Sequence, residues 1–226
     1  MTPMIMNPFR FGSVAASTEF ASMYESRSAL TTVQKQHFVE WFSGSALDSI
    51  WTSNVSGTGT NTMYDSVDGG FRLLFSTGTN NSNDIDFGDK RQYEETGSVF
   101  IAVCATNLDY AQTNHFCDIG FTGQTFRDSV DLACANYHTG QTYIRLLTRR
   151  SSDTFADSTV TGDNTRRSIK LFLDTSDVEL FIDGVTQATN TTTLPNVKLQ
   201  PFAQAWHGTG GVASGIDVNY MECYNT

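Results

Sequence analysis

The segment from Ser168 to Thr189 constrains this chain more than any other. Ile169, Leu171 and Leu173 fall on one side of a strand, because successive side chains of a strand point to opposite faces. Thr175-Ser176-Asp177 turns the chain, and Val178, Leu180 and Ile182 then share one face of the next strand. Asp183-Gly184 predicts a two-residue hairpin, since a type I′ turn needs positive φ at both central positions. Val185 to Thr189 returns. Three strands joined by tight turns make an antiparallel meander. Its apolar face has to be buried against a second layer.

The rest of the chain repeats the pattern. Short apolar segments alternate with turn clusters at Phe71–Phe75, Asp84–Gly88, Phe116–Phe121, Ser129–Tyr137, Thr142–Thr148, Lys198–Trp206 and Ile216–Tyr224. Ser98 to Ala105 is almost continuously apolar, as a strand covered on both faces should be. Sixteen Phe and eight Tyr, with only 17% charged residues, suit strands better than helices. The spacing of Val33, His37, Phe38, Trp41 and Phe42 predicts one short helix over 28–43, capped by Ser28 or Thr31 and stopped by Gly44. Residues 1–27 show no period and read as a docking arm or a first strand. The expected fold class is all-β, an antiparallel two-sheet jelly-roll sandwich with one short N-terminal helix. The expected division is an arm and helix over 1–45 and a sandwich over 46–226.

A net charge of −10 argues against a nucleic-acid surface, which needs clustered cations. The densest basic spots, Arg149-Arg150 and Arg166-Arg167, are pairs flanked by Asp153, Asp157 and Asp163. Cys104, Cys117, Cys134 and Cys223 form no C-x-x-C pair and read as buried free thiols. The start, Met1-Thr2-Pro3-Met4-Ile5, lacks the basic and apolar regions of a secretion signal. No stretch approaches the ~20 apolar residues of a membrane helix. Synthesis in a cytoplasm and no membrane partner are the expectations.

The hairpin segment, then Leu194-Pro195 and Leu199-Gln200-Pro201-Phe202, resembles the concanavalin A-like (laminin-G-like) jelly-roll superfamily. Trp51 with its Gly/Thr loop, Asp68-Gly69-Gly70-Phe71 and Phe116-Cys117-Asp118-Ile119 extend the resemblance over about residues 47 to 224. The Gly-, Thr- and Asn-rich style is similar to structural proteins of tailed phages and related viruses. The resemblance implies a non-enzymatic virion structural protein, a capsid decoration or tail-associated subunit. It implies a homo-oligomer, with other virion proteins as partners, located in the virion and without catalytic residues. A carbohydrate-binding lectin-like module meeting a cell-surface glycan stays open, with a glycoside hydrolase behind it.

Three constellations bear on those readings. Glycosidases of this fold carry a Glu-x-Asp-x-x-Glu strand, and Asp84-Ile85-Asp86-Phe87-Gly88-Asp89 has its spacing with Asp at all three positions, so the two outer carboxylates are each one methylene shorter. Asn80, Asn83, Asp84 and Asp86 offer oxygen ligands to calcium, although Asx residues also enrich turns. Trp51, Tyr64, Tyr137 and Trp206 are candidate glycan contacts, against core packing as the commoner fate of aromatics in a sandwich. His37, His115, His138 and His207 read as surface or packed histidines.

Overall fold

The computed structural model describes residues 37–64, 69–75, 81–110, 114–124, 130–208 and 213–226. They belong to one compact unit, Gln36–Thr226, and form two antiparallel sheets packed face to face. One sheet has eight strands, ordered β13 (Val185–Asn190), β12 (Val178–Ile182), β11 (Arg167–Leu173), β6 (Ser98–Asn107), β15 (Ser214–Asn225), β4 (Phe71–Phe75) and β3 (Thr60–Met63). Its eighth strand, β1 (His37–Glu40), also pairs with β15. The other sheet has seven, ordered β10 (Asp153–Thr161), β9 (Tyr143–Arg150), β8 (Asp131–His138), β7 (His115–Thr122), β14 (Gln200–His207), β5 (Asn81–Asp86) and β2 (Thr52–Ser56).

The meander forms as the alternation requires. Ile169, Leu171 and Leu173 pair with Ile182, Leu180 and Val178, and all six face the core. Asp183 (φ 51°) and Gly184 (φ 80°) close the hairpin in the left-handed region. Asp183 Oδ1 also accepts from the Ser168 amide at 2.9 Å, which ties the turn to β11, the neighbour of β12 in the sheet. Opposite the meander, Ile119, Phe121, Ala133, Ala135, Ile144 and Leu146 complete the core from the seven-stranded sheet. The four cysteines are buried and free.

The helix expected over 28–43 is corrected. No helix occurs among the described residues, and residues 28–36 lie outside them. His37–Glu40 is instead an edge strand, in register with Tyr224 to Met221 of β15. Apolar residues at 38, 41 and 42 fit a helical stripe, but the ladder of β15 supplies this segment's hydrogen bonds. Phe38 packs its ring on Trp51 (5.5 Å) and Phe87 (4.9 Å). The chain then bends at Phe42 (φ 45°) and Gly44 (φ 115°), so the strand stays short.

Candidate active site on the outer face of the seven-stranded sheet

The strands that send Ile85, Ile119, Ala135, Ile144 and Ala203 into the core send their alternate residues outward. Reading the register across the sheet lines these up in rows. One row is polar: Asn54, Asp84, Gln204, Asp118, Asn136 and Arg145, one each from β2, β5, β14, β7, β8 and β9. Asn54 Nδ2 donates to Asp84 Oδ2 at 2.8 Å. Asn136 Nδ2 donates to Asp118 Oδ1 at 2.6 Å, while its own Oδ1 accepts from Arg145 Nε (3.2 Å) and Nη2 (2.7 Å). The Arg145 guanidinium lies 4.1 Å over the Phe155 ring.

Asp118 is the electrostatic centre of this row. Burial pushes its carboxyl up to about 6, and Asp153 adds to that. The Asn136 amide, Arg149 and Arg145 pull the other way without cancelling it. The group therefore holds a proton in mildly acidic solution, which an ordinary aspartate does not.

The adjoining row is aromatic. Trp206, Phe116 and His138 are cross-strand neighbours on β14, β7 and β8. Their centroids are 4.9 Å apart for Trp206 and Phe116, and 4.1 Å for Phe116 and His138. All three are half-buried. A Cβ at Gly208 would stand 2.8 Å from the Trp206 ring, and one at Gly140 2.9 Å from the His138 ring. Glycine at both turns keeps the ladder's ends clear. Burial and the nearby Arg145 hold His138 below the usual imidazole value. On the other side of the polar row, Phe202, Leu132, Cys134 and Leu147 make a small buried apolar cluster.

Only one of the four candidate glycan contacts stands on this face, Trp206. Trp51 is in the core, 4.8 Å from Phe87. Tyr137 is also in the core, its hydroxyl 3.9 Å from Cys104 Sγ. Tyr64 lies by the other sheet, where its hydroxyl accepts from Asn219 Nδ2 at 3.0 Å and Arg72 sits 5.1 Å over its ring. The structure brings Asp84 and Asp86 to the outer face together and separates Asp89 from them. Gly88 (φ 61°) and Asp89 (φ 68°) turn the chain, and Asp89 faces solvent with Arg91 3.4 Å away. The calcium set divides as well. Asn83 points between the sheets, donating to Thr60 O (3.0 Å) and Leu74 O (2.7 Å), opposite to Asp84 and Asp86. Asn80 lies outside the described residues. Among the described residues no group of three or more His, Cys, Asp or Glu comes together to hold a metal.

No family model and no curated protein matches the chain in sequence. Solved structures do. A protein of unknown function from Shewanella oneidensis MR-1 matches with a TM-score of 0.66 at 16% identity, covering 100% of this chain and 96% of its own. A Bacillus licheniformis beta-glucanase matches at 0.61 and 12% identity, over 86% of this chain and 100% of that one. The Emp47p carbohydrate recognition domain matches at 0.58 and 9% identity, over 84% and 94%. The chain shares the concanavalin A-like jelly-roll fold with these proteins. Matches of stated function include carbohydrate-binding and carbohydrate-cleaving proteins, Bacteroides ovatus family 16 glycoside hydrolases among them. They overturn the expectation of a non-enzymatic virion structural protein, whether capsid decoration or tail-associated subunit. The expectation that the chain is not an enzyme is corrected by the same glucanases. The spacing argument behind it concerned only the strand of Asp84 and Asp86, and Asp118 stands on another.

Proposed function

We propose that this protein is carbohydrate-active, and that a polysaccharide lies across the outer face of the seven-stranded sheet and is hydrolysed beside Asp118. The observation that carries this reading is the adjacency, in register, of the Trp206–Phe116–His138 ladder and the carboxyl–amide row. A sugar ring has an apolar face and a polar rim. Half-exposed aromatics take the first, and fixed Asp, Asn and Gln side chains take the second.

Asp118 and Asp84 stand on either side of Gln204, separated by one intervening strand. Two strand spacings put their Cα atoms about 10 Å apart. Asp84 is hydrogen-bonded to Asn54 and Asp118 to Asn136, each on the side away from Gln204, so a rotation of both side chains toward Gln204 is what brings them to the ~6.5–9.5 Å between carboxyls of inverting glycosidases. Asp118 in its protonated form gives its proton to the glycosidic oxygen as the C1–O bond breaks. Asp84 takes a proton from the water that adds to C1. One water is consumed, and proton exchange with solvent restores both carboxyls.

A panel of β-linked polysaccharides tests the reading, with affinity electrophoresis for binding and release of reducing ends for turnover. Trp206→Ala is expected to weaken binding about tenfold, the size of one lost aromatic contact. Trp51→Ala, a core truncation, is expected to lower the melting temperature instead. Neither binding nor turnover anywhere on the panel would overturn the proposal.

A further inference from the structure

Directly behind the ladder lies a histidine pair. His115 precedes Phe116 on β7, and His207 follows Trp206 on β14. Strand alternation sends the two ladder rings outward and the two imidazoles inward. His115 and His207 are register partners, with ring centroids 5.3 Å apart. Phe75 of β4 closes over both, at 5.2 Å and 4.5 Å. Both histidines are buried, and neither ring nitrogen of His115 has a hydrogen-bond partner.

The surroundings offer little to a positive charge. From the eight-stranded sheet the pair meets Phe75, whose register partner is Ser214. Asn81 of β5 stands opposite His207. The next inward positions on the two strands are Cys117, a thiol that burial keeps neutral, and Ala205. Asp109, just after β6, is the one charged group among the described residues that favours a protonated His115. Burial and His207 outweigh it and hold His115 below its ordinary value.

We propose that His115, packed against His207, forms an acid-sensitive support for the glycan platform, in which protonation of His115 pushes β7 and β14 apart beneath Phe116 and Trp206 and releases the bound sugar. The platform part rests on the glycan reading above. The acid response rests only on the pair's geometry. An imidazolium at His115 is desolvated in this enclosure. The folded-state value of His115 lies below the unfolded one, so the unfolded chain binds more protons in the window between them. Stability from neutral His115 is complete above about pH 6.5 and is lost as the pH falls below it.

Thermal melting and glycan affinity between pH 8 and pH 5 provide the test, on the protein with both histidines, His115→Gln and His207→Gln. With Asp118 replaced by Asn in every protein compared, which removes a carboxyl of opposite slope, the protein with both histidines is expected to lose roughly 5 °C of melting temperature across that range, as a chain of this length does for a modest stability loss. Its affinity is expected to fall about tenfold, one decade for each 1.4 kcal/mol. Each variant should lose less than half as much of either. If the variants fold poorly, the imidazole proton signals of the wild type replace them. The His115 ring should then titrate together with the loosening of the ladder. A melting temperature independent of pH in that background overturns the proposal, and so does a pH response unchanged in both variants. A protein that binds no glycan at any pH but still shows the histidine-dependent melting would defeat the glycan reading and leave the acid response standing.

Discussion

Asp118→Asn is expected to cut polysaccharide turnover by roughly 10²–10⁴-fold, the usual worth of a positioned acid. Asparagine keeps the shape and an acceptor for the Asn136 amide, so the row need not rearrange. It has no proton to give. In the wild type kcat/KM should fall as the pH rises past about 6, where Asp118 loses its proton. The same substitution should stabilise the protein at neutral pH. The folded-state value of about 6 lies above the unfolded 3.8. The folded protein therefore binds more protons between them, and stability is lost as the pH rises through that window. By neutral pH the buried charge costs on the order of 2–3 kcal/mol. Denaturant unfolding at pH 7 and pH 4.5 measures it, with the variant gaining at the first and little at the second. This slope runs opposite to that of His115, so each is read in a protein that lacks the other. Turnover unaffected by Asp118→Asn would remove it as the acid while leaving the Trp206 test intact.

The sandwich was legible because its strongest signals are local. Ile169 to Val185 contains alternation, turn and return in one continuous run, and the structure pairs those residues directly. The helix reading failed for a physical reason of the opposite kind. Phe38, Trp41 and Phe42 satisfy a local helical spacing, but the hydrogen bonds of His37–Glu40 come from β15, at the far end of the chain. Nothing near residue 38 announces that partner. The site was hidden in the same way. Phe116 and Asp118 stand out as a ladder ring and a row carboxyl only once β7 is set beside β14 and β8. Trp206 is the one aromatic candidate that the register carries to the outer face, whereas Trp51 and Tyr137 were spent on the core. The alternating pattern Phe116-Cys117-Asp118-Ile119 did record which residues point the same way. It could not record which strand lies next to them. The carboxylates at 84, 86 and 89 show the complementary limit. Their spacing is that of one strand, but Gly88 ends that strand before Asp89.

Gly215→Ala is expected to be the most damaging single methyl group in the described fold. Gly215 lies in β15, between Leu74 of β4 and Asn107 of β6. A Cβ there would stand 1.8 Å from the Leu73 carbonyl oxygen, 2.9 Å from its carbon and 3.0 Å from Leu74 Cα. All three are backbone atoms, so no side chain can swing aside. Either β4 leaves β15 and forfeits its ladder, or β15 distorts beside β6. Overpacking of this kind costs about 3 kcal/mol, at the upper end of the usual range. For a domain of this size that lowers the melting temperature by roughly 6–12 °C. The consequence reaches the proposed site through Phe75, two residues from Leu73 on the same strand and in contact with both inward histidines. Displacing β4 removes the lid from the pair. Circular dichroism melts at pH 8 and pH 5 should therefore show a lower transition for Gly215→Ala and a weaker dependence on pH, because water then reaches His115 and His207. A melting temperature within a degree of wild type would mean that β4 and β15 are not held at this distance, and that Phe75 is not the fixed wall the histidine pair requires.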